Sequence, residues 1–151
     1  MSIIKAVIAA IIIFLMAFGL FRYLAFLKRN RLLPMDEMEG RDFEFFCARL
    51  LRASGFIEVE VTKGSGDYGV DILAEKDGVT YAIQCKRYTA PVGVKAVQEA
   101  YAGRDYYDKM VGAVLTNQYF TASAVEAARK LKILLWDRDY LEQMMEEEDE
   151  L

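Results

Sequence analysis

The most sustained pattern in the chain is its first one. From Ala6 to Leu27, twenty-two consecutive positions hold a single charged side chain, Arg22. That length spans about 30 Å of hydrocarbon as a helix, with Arg22 reaching toward the interface along its own aliphatic stem. The cluster Lys28-Arg29-Asn30-Arg31 follows at once. Basic residues on that flank predict a single-pass anchor in the inner (cytoplasmic) membrane, with everything after it in the cytoplasm. A cleaved signal peptide is the rival reading. Its apolar region would be long for that, and no clear small-x-small cleavage site follows it.

Beyond residue 33 the periodicity shortens and alternates. Phe43, Phe46, Cys47, Leu50 and Leu51 recur at helical spacing, so a helix is expected from Asp36 or Glu37 to Ser54-Gly55, where glycine supplies a left-handed cap. Ile57 to Val61 alternates as a strand. Val70 to Glu75 and Thr80 to Lys86 are β-prone runs around Asp77-Gly78, a strong hairpin signal. Then come a helix over 94–107, a strand over 111–116, a helix to Lys130 capped by Thr121, a strand over 133–136 and a helix from Arg138 that dissolves into acid. Strands alternating with helices define an α/β fold. The expected organisation is an anchor over 1–33, one compact domain over 34–140 and an acidic tail over 141–151.

The hairpin is where chemistry enters. A two-residue Asp77-Gly78 turn makes paired positions sum to 155 and sets Asp71 directly opposite Gln84, with Cβ atoms about 5 Å apart. Lys86 lies two residues further on the same face. Ile72, Ala82 and Ile83 around them are apolar, and a strand that otherwise looks buried does not carry Asp and Lys without pairing them. A cross-strand Asp71–Lys86 salt bridge is the plain alternative. The functional reading is a phosphodiester site: Asp71, Gln84 and the Cys85 backbone carbonyl supply oxygens to a metal, and Lys86 serves the attacking water and the charge developing on phosphate. As an exposed patch it is expected to contribute little to the core. Lys63-Gly64-Ser65-Gly66-Asp67-Tyr68-Gly69, just before it, is a loop whose glycines allow close backbone approach to a ligand.

Composition narrows the metal and complicates the substrate. Histidine is absent, which removes histidine-dependent nucleases, Ser-His-Asp hydrolases and histidine-built zinc sites; a hydrolytic metal here is a hard, oxygen-ligated one such as Mg²⁺ or Mn²⁺. Cys47 and Cys85 read as buried thiols of a reducing compartment. The charges of 1–33, 34–140 and 141–151 are +5, −3 and −6, which together give the net −4. Nucleic-acid-binding domains are usually basic, so DNA contact must come from local groups. Lys63, Ser65, Tyr68, Arg87 and Lys95 are the candidates, with Arg104 and Tyr88 behind them. Asp67 reads as a loop cap or as a second acid beside the metal.

Gly66-Asp67-Tyr68-Gly69-Val70-Asp71-Ile72 followed by Gln84-Cys85-Lys86-Arg87-Tyr88 resembles the Mrr-type (type IV restriction endonuclease-like) branch of the PD-(D/E)xK nucleases. The similarity runs from about Met35 to Trp136 and includes Val114 to Thr121. It implies a restriction-endonuclease-like core, a mixed β-sheet flanked by helices, and Mg²⁺-dependent cleavage of DNA. By motif, Asp71 is the metal carboxylate, Gln84 takes the (D/E) position and Lys86 is the catalytic lysine. Glutamine removes a negative charge from the site. Glu44, on the first helix of the domain, matches a position that often supplies an acid in such folds, and its plain reading is a solvated helix glutamate.

The expectation is therefore a metal-dependent endonuclease restricting foreign or modified DNA at the cytoplasmic face of the membrane. Its alternative is a catalytically weak tethered module that binds nucleic acid or a partner. The expected partners are DNA and the membrane, with no small-molecule cofactor; a homodimer is left open.

Overall fold

The structure, a computed structural model, describes residues 2–29, 32–64, 66 and 68–150, with side chains of the first helix described over 3–27. Ser65, Asp67 and the basic flank Lys28 to Arg31 are sequence candidates whose side chains lie outside what is described. The chain divides into two compact units, Met1–Leu33 and Pro34–Leu151.

The first unit is one helix, α1 (Ser2–Arg29). Its segment Ile3–Leu27 has a mean hydropathy of 2.7 and presents its apolar side chains outward all round. Lys5 and Arg22 are its charged side chains, too few to form a polar face along its length.

The second unit comprises α2 (Pro34–Glu37), α3 (Gly40–Ala53), β1 (Ile57–Val61), β2 (Ile72–Lys76), β3 (Val79–Lys86), α4 (Val94–Tyr106), β4 (Val111–Thr116), α5 (Ala122–Leu131), β5 (Ile133–Trp136) and α6 (Arg138–Asp149). The five strands form one mixed sheet in the order β1-β2-β3-β4-β5. β1, β2 and β3 run antiparallel; β3, β4 and β5 run parallel, each parallel pair joined through a helix. The β2–β3 turn adopts positive φ at both Asp77 (54°) and Gly78 (77°), the geometry of a type I′ turn, and the pairs Ile72↔Ile83 and Lys76↔Val79 sum to 155 as the turn requires.

Helices cover both faces of the sheet. On one side α4 and α5 close over Val92, Val97, Ala100, Val114, Ala124 and Ile133. On the other, α3 and α6 bury Phe43, Cys47, Leu50, Leu51, Leu141 and Met144, and Phe56, Tyr81, Trp136 and Tyr140 form a run of ring contacts.

Two expectations are corrected. The first domain helix begins at Gly40 behind an extended Glu39, not at Asp36 or Glu37. Asp36 belongs to the short α2 because its carboxylate is engaged elsewhere: Arg138 grips it through Nη1 (2.8 Å) and Nη2 (3.0 Å), and Asn117 Nδ2 donates to it at 2.9 Å. The acidic segment is also no free tail. It continues α6 to Asp149, capped by the Asp137 carboxylate, with Leu141 and Met144 packed inward, Glu142 paired to Arg138 and Glu148 paired to Arg49.

Candidate active site

Asp71 stands one residue ahead of β2 yet is already pinned at the backbone. Its N–H donates to the Ile83 carbonyl at 2.9 Å, and its carbonyl accepts from Thr62 N at 2.9 Å. The side chain turns back on the neighbouring strand: Asp71 Oδ2 accepts from Cys85 N at 2.6 Å and from Gln84 Nε2 at 2.7 Å. Asp71 and Gln84 therefore meet as the hairpin register predicts. They are 7% and 5% exposed, which corrects the expectation of an open surface patch and makes both part of the core's polar accounting.

Having turned its amide nitrogen to Asp71, Gln84 is left with Oε1 buried and without a hydrogen-bond donor. A buried acceptor in that state calls for a cation, a water or an N–H. Gly69 sits beside it with φ 79°, and a Cβ at that residue would come within 2.9 Å of Gln84 Oε1. Glycine at 69 thus leaves open the space in front of the amide oxygen.

Lys86 ends β3 on the face it shares with Gln84 and leans toward α4, where its Nζ pairs with Glu99 Oε2 at 2.7 Å. This corrects the alternative of a cross-strand salt bridge with Asp71. Glu99 was not legible as a site residue in the sequence. It falls thirteen positions after Lys86 on a helix that only tertiary packing lays across the strand.

Glu44 comes from α3, the helix whose Cys47 packs toward Cys85, and its partner is Arg41 at 2.7 Å. Arg41 in turn donates to the Thr62 carbonyl at 2.7 Å, at the mouth of the glycine loop. The Cys85 thiol is pushed well above its usual range, first by its hydrogen bond with Cys47, next by burial, then by surrounding charge that includes Asp71 and Glu44. The thiol therefore stays protonated near neutral pH.

The end of β3 is fastened by the end of β4. Thr116 Oγ1 donates to the Lys86 carbonyl at 2.6 Å. Asn117, fully buried, accepts from Tyr88 N at 2.9 Å and donates to the Tyr88 carbonyl at 3.0 Å. Arg138 stands behind it, donating to the Asn117 carbonyl at 3.0 Å; its hydrogen bond to Asp36 raises its basicity against the opposing pull of burial.

The remaining candidates scatter. Lys63 is exposed, and Lys95 projects into solvent 3.9 Å from Glu99. Tyr68 is exposed with its ring stacked on Tyr106 at 3.7 Å between centroids. Arg87 carries a buried Nε without a hydrogen-bond partner beside a cavity of about 310 Å³ lined by Arg87, Tyr88, Thr89 and Ala90. Arg104 is turned away, donating to Asp105 and to the Leu131 carbonyl.

The donor set can be tested against the metal that such a fold implies. Among the described residues no three acidic or thiol side chains converge to hold an ion. What converges is one carboxylate, a buried amide oxygen wanting a partner, and strand backbone. Mg²⁺ retains several waters and is commonly held by one or two carboxylates plus substrate phosphate, so this sparse oxygen set fits it. It does not suit a metal that needs a closed protein cage.

A mixed sheet between two helical layers, with Asp, Gln and Lys gathered at the entrance of β2 and the exit of β3, defines a restriction-endonuclease-like core. The Mrr catalytic-domain profile, described as restriction endonuclease, matches residues 35–145, and the chain belongs to that Mrr-type family of PD-(D/E)xK nucleases. Among solved structures it is similar to the protein of unknown function AF1548 (25% identity, TM-score 0.62, covering 72% of this chain and 66% of that one). It is also similar to the DNA modification-dependent restriction endonuclease AspBHI (15% identity, TM-score 0.57, 83% of this chain and 38% of that one). The chain thus spans just under two thirds and well under half of these proteins. No curated protein sequence matches it.

Proposed function

We propose that this chain is a membrane-anchored, Mg²⁺- or Mn²⁺-dependent endonuclease that hydrolyses DNA phosphodiester bonds, restricting foreign or modified DNA. The observation that carries the proposal is the Asp71–Gln84 contact. One carboxylate is fixed by two donors while the amide oxygen beside it is buried and unmatched, next to a lysine at the strand's end. Asp71, Gln84 Oε1 and the Cys85 carbonyl would hold the metal, which supplies Lewis-acid polarisation of the phosphate and a more acidic water. Lys86 offsets charge developing on the phosphoryl oxygens and orients the attacking water. Glu44, paired with Arg41 and close enough to Cys85 to act on its thiol together with Asp71, would supply the further carboxylate.

Lys63, Ser65, Tyr68, Arg87, Tyr88 and Lys95 would meet the DNA backbone, with Arg87 the best placed because it follows the catalytic strand directly. The modified-DNA preference is supported by the likeness to AspBHI in fold. The long apolar span Ile3–Leu27, whose charged side chains are Lys5 and Arg22, supports a membrane anchor, and the basic residues that follow it favour a cytoplasmic domain.

The test is cleavage of plasmid DNA by the full chain in detergent, with Mg²⁺, with Mn²⁺ or with EDTA. Cleavage with either metal and none in EDTA is expected. Undiminished cutting in EDTA overturns the assignment; binding without cutting in any metal favours a tethered DNA-binding module.

A further inference from the structure

We propose that Glu99 is the positioning residue of Lys86: its carboxylate aims the ammonium of the catalytic lysine, at the cost of weakening the site's hold on DNA. The inference rests on the nuclease reading above and extends it to a side chain outside the D…QxK motif.

The pair is built into the fold. Lys86 Nζ and Glu99 Oε2 lie 2.7 Å apart, and the two side chains retain only 18% and 30% of their exposure. The second contact of Glu99, with Lys95 at 3.9 Å, reaches a side chain that is 87% exposed and holds little. Two glycines bring α4 to the strands. A Cβ at Gly103 would lie 2.3 Å from Val70 Cγ2 and 2.9 Å from the Tyr68 carbonyl. A Cβ at Gly69 would lie 3.0 Å from Glu99 Cβ and 2.9 Å from Gln84 Oε1. The stem of Glu99 and the unmatched amide oxygen therefore border the same small space, on the face where Lys86 emerges.

Lysine is a point charge on a flexible four-carbon arm. At the last residue of a strand it has no neighbour in its own strand beyond it to restrict that arm. A carboxylate from a packed helix gives it one direction, and rates depend steeply on such placement. The same carboxylate is an anion beside the position assigned to a phosphate, so it opposes DNA binding. One residue thus pulls turnover and affinity in opposite directions, which a purely structural helix contact does not do.

The experiment compares the full chain in detergent with Glu99→Gln, Glu99→Asp, Lys86→Ala and the Lys86→Ala/Glu99→Gln double variant. Cleavage is followed with Mg²⁺, and affinity for a fluorescent duplex is measured in EDTA. Glu99→Gln should lower kcat by about 10-fold or more while binding the duplex several-fold tighter, with the unfolding midpoint nearly unchanged. Glu99→Asp, keeping the charge on a shorter arm, should recover part of kcat. On the Lys86→Ala background, Glu99→Gln should have no further effect on kcat. A full further loss there, or an unchanged kcat in the single variant, overturns the proposal.

Should the wild-type chain cut no DNA, the nuclease reading fails and the positioning claim is read from lysine side-chain NMR instead. The Lys86 methylene signals should be ordered in the wild type and motionally averaged in Glu99→Gln. Equal order in both overturns it.

Discussion

Asn117 closes a two-bonded clamp on the backbone of Tyr88, accepting from its N–H at 2.9 Å and donating to its carbonyl at 3.0 Å. The strand that ends in Lys86 is thereby held beyond its last ladder bond, by a side chain that also touches Asp36. Asn117→Ala removes the partner of the Tyr88 N–H and of the Tyr88 carbonyl and one of the donors to Asp36, and each group left unmatched costs about 1–3 kcal/mol. The variant should unfold at lower temperature in a melt and cut DNA more slowly, with its Mg²⁺ requirement unaltered. Asn117→Asp should be worse, since it sets a second carboxylate against Asp36. Wild-type stability in both would show that the clamp is idle.

Asp71 is better probed by Asn than by Ala. Because Oδ2 receives the Cys85 N–H and the Gln84 amide within the protein, Asp71→Ala strands two buried donors and should destabilise the domain by about 1–3 kcal/mol as well as abolish cleavage. Asp71→Asn keeps an acceptor and removes the charge, so it should melt closer to wild type and still fail to cut. A plasmid assay beside a thermal melt separates the two effects. Retained cleavage in Asp71→Asn would place the metal elsewhere.

Gln84→Glu makes a sharper prediction than the near-isosteric swap suggests. It replaces the amide that donates to Asp71 at 2.7 Å with a second carboxylate, so two anions face each other until a cation intervenes. The variant should melt below wild type in EDTA and gain more stability from Mg²⁺ than wild type does, since a ligand stabilises in proportion to how tightly it binds the folded state. Equal Mg²⁺-induced shifts in the two proteins would argue against Gln84 as a ligand.

Arg138 is 3% exposed and holds Asp36 by two hydrogen bonds and Glu142 by an ion pair at 3.1 Å. Arg138→Met leaves the buried Glu142 and the half-buried Asp36 without their cation, a loss typically worth about 3–5 kcal/mol. The unfolding midpoint should fall by about 10 °C or more. A shift of only a degree or two would mean that the acids find water.

Membrane attachment is tested by fractionation. The full chain should pellet with membranes and resist alkaline extraction, and a reporter fused after Leu151 should be active as a cytoplasmic fusion. A shortened chain released in soluble form would identify the first helix as a signal peptide.

Much of the site was written locally. Asp77-Gly78 fixes the hairpin register, and the register alone sets Asp71 against Gln84 and puts Lys86 on their face. Thr121 accepts from Ala124 N as its sequence position suggests. Contacts that span the fold were not legible. Asp36 and Arg138 are 102 residues apart, and no periodicity links them. Glu99 lies on a helix whose seat depends on the missing side chains of Gly69 and Gly103. The orientation of the Gln84 amide, which decides whether its oxygen or nitrogen meets Asp71, follows from hydrogen bonds that a one-letter pattern does not contain.

The short turn at Asp77-Gly78 also has a kinetic meaning. Asp71 and Gln84 are 13 residues apart, and closing so short a hairpin takes about 1–10 μs. Glu99 reaches Lys86 only after α4 has docked on the sheet. In a refolding chain the Asp71 carboxylate and the Gln84 amide can accordingly meet within one hairpin, whereas the contact of Lys86 with Glu99 waits for the helix.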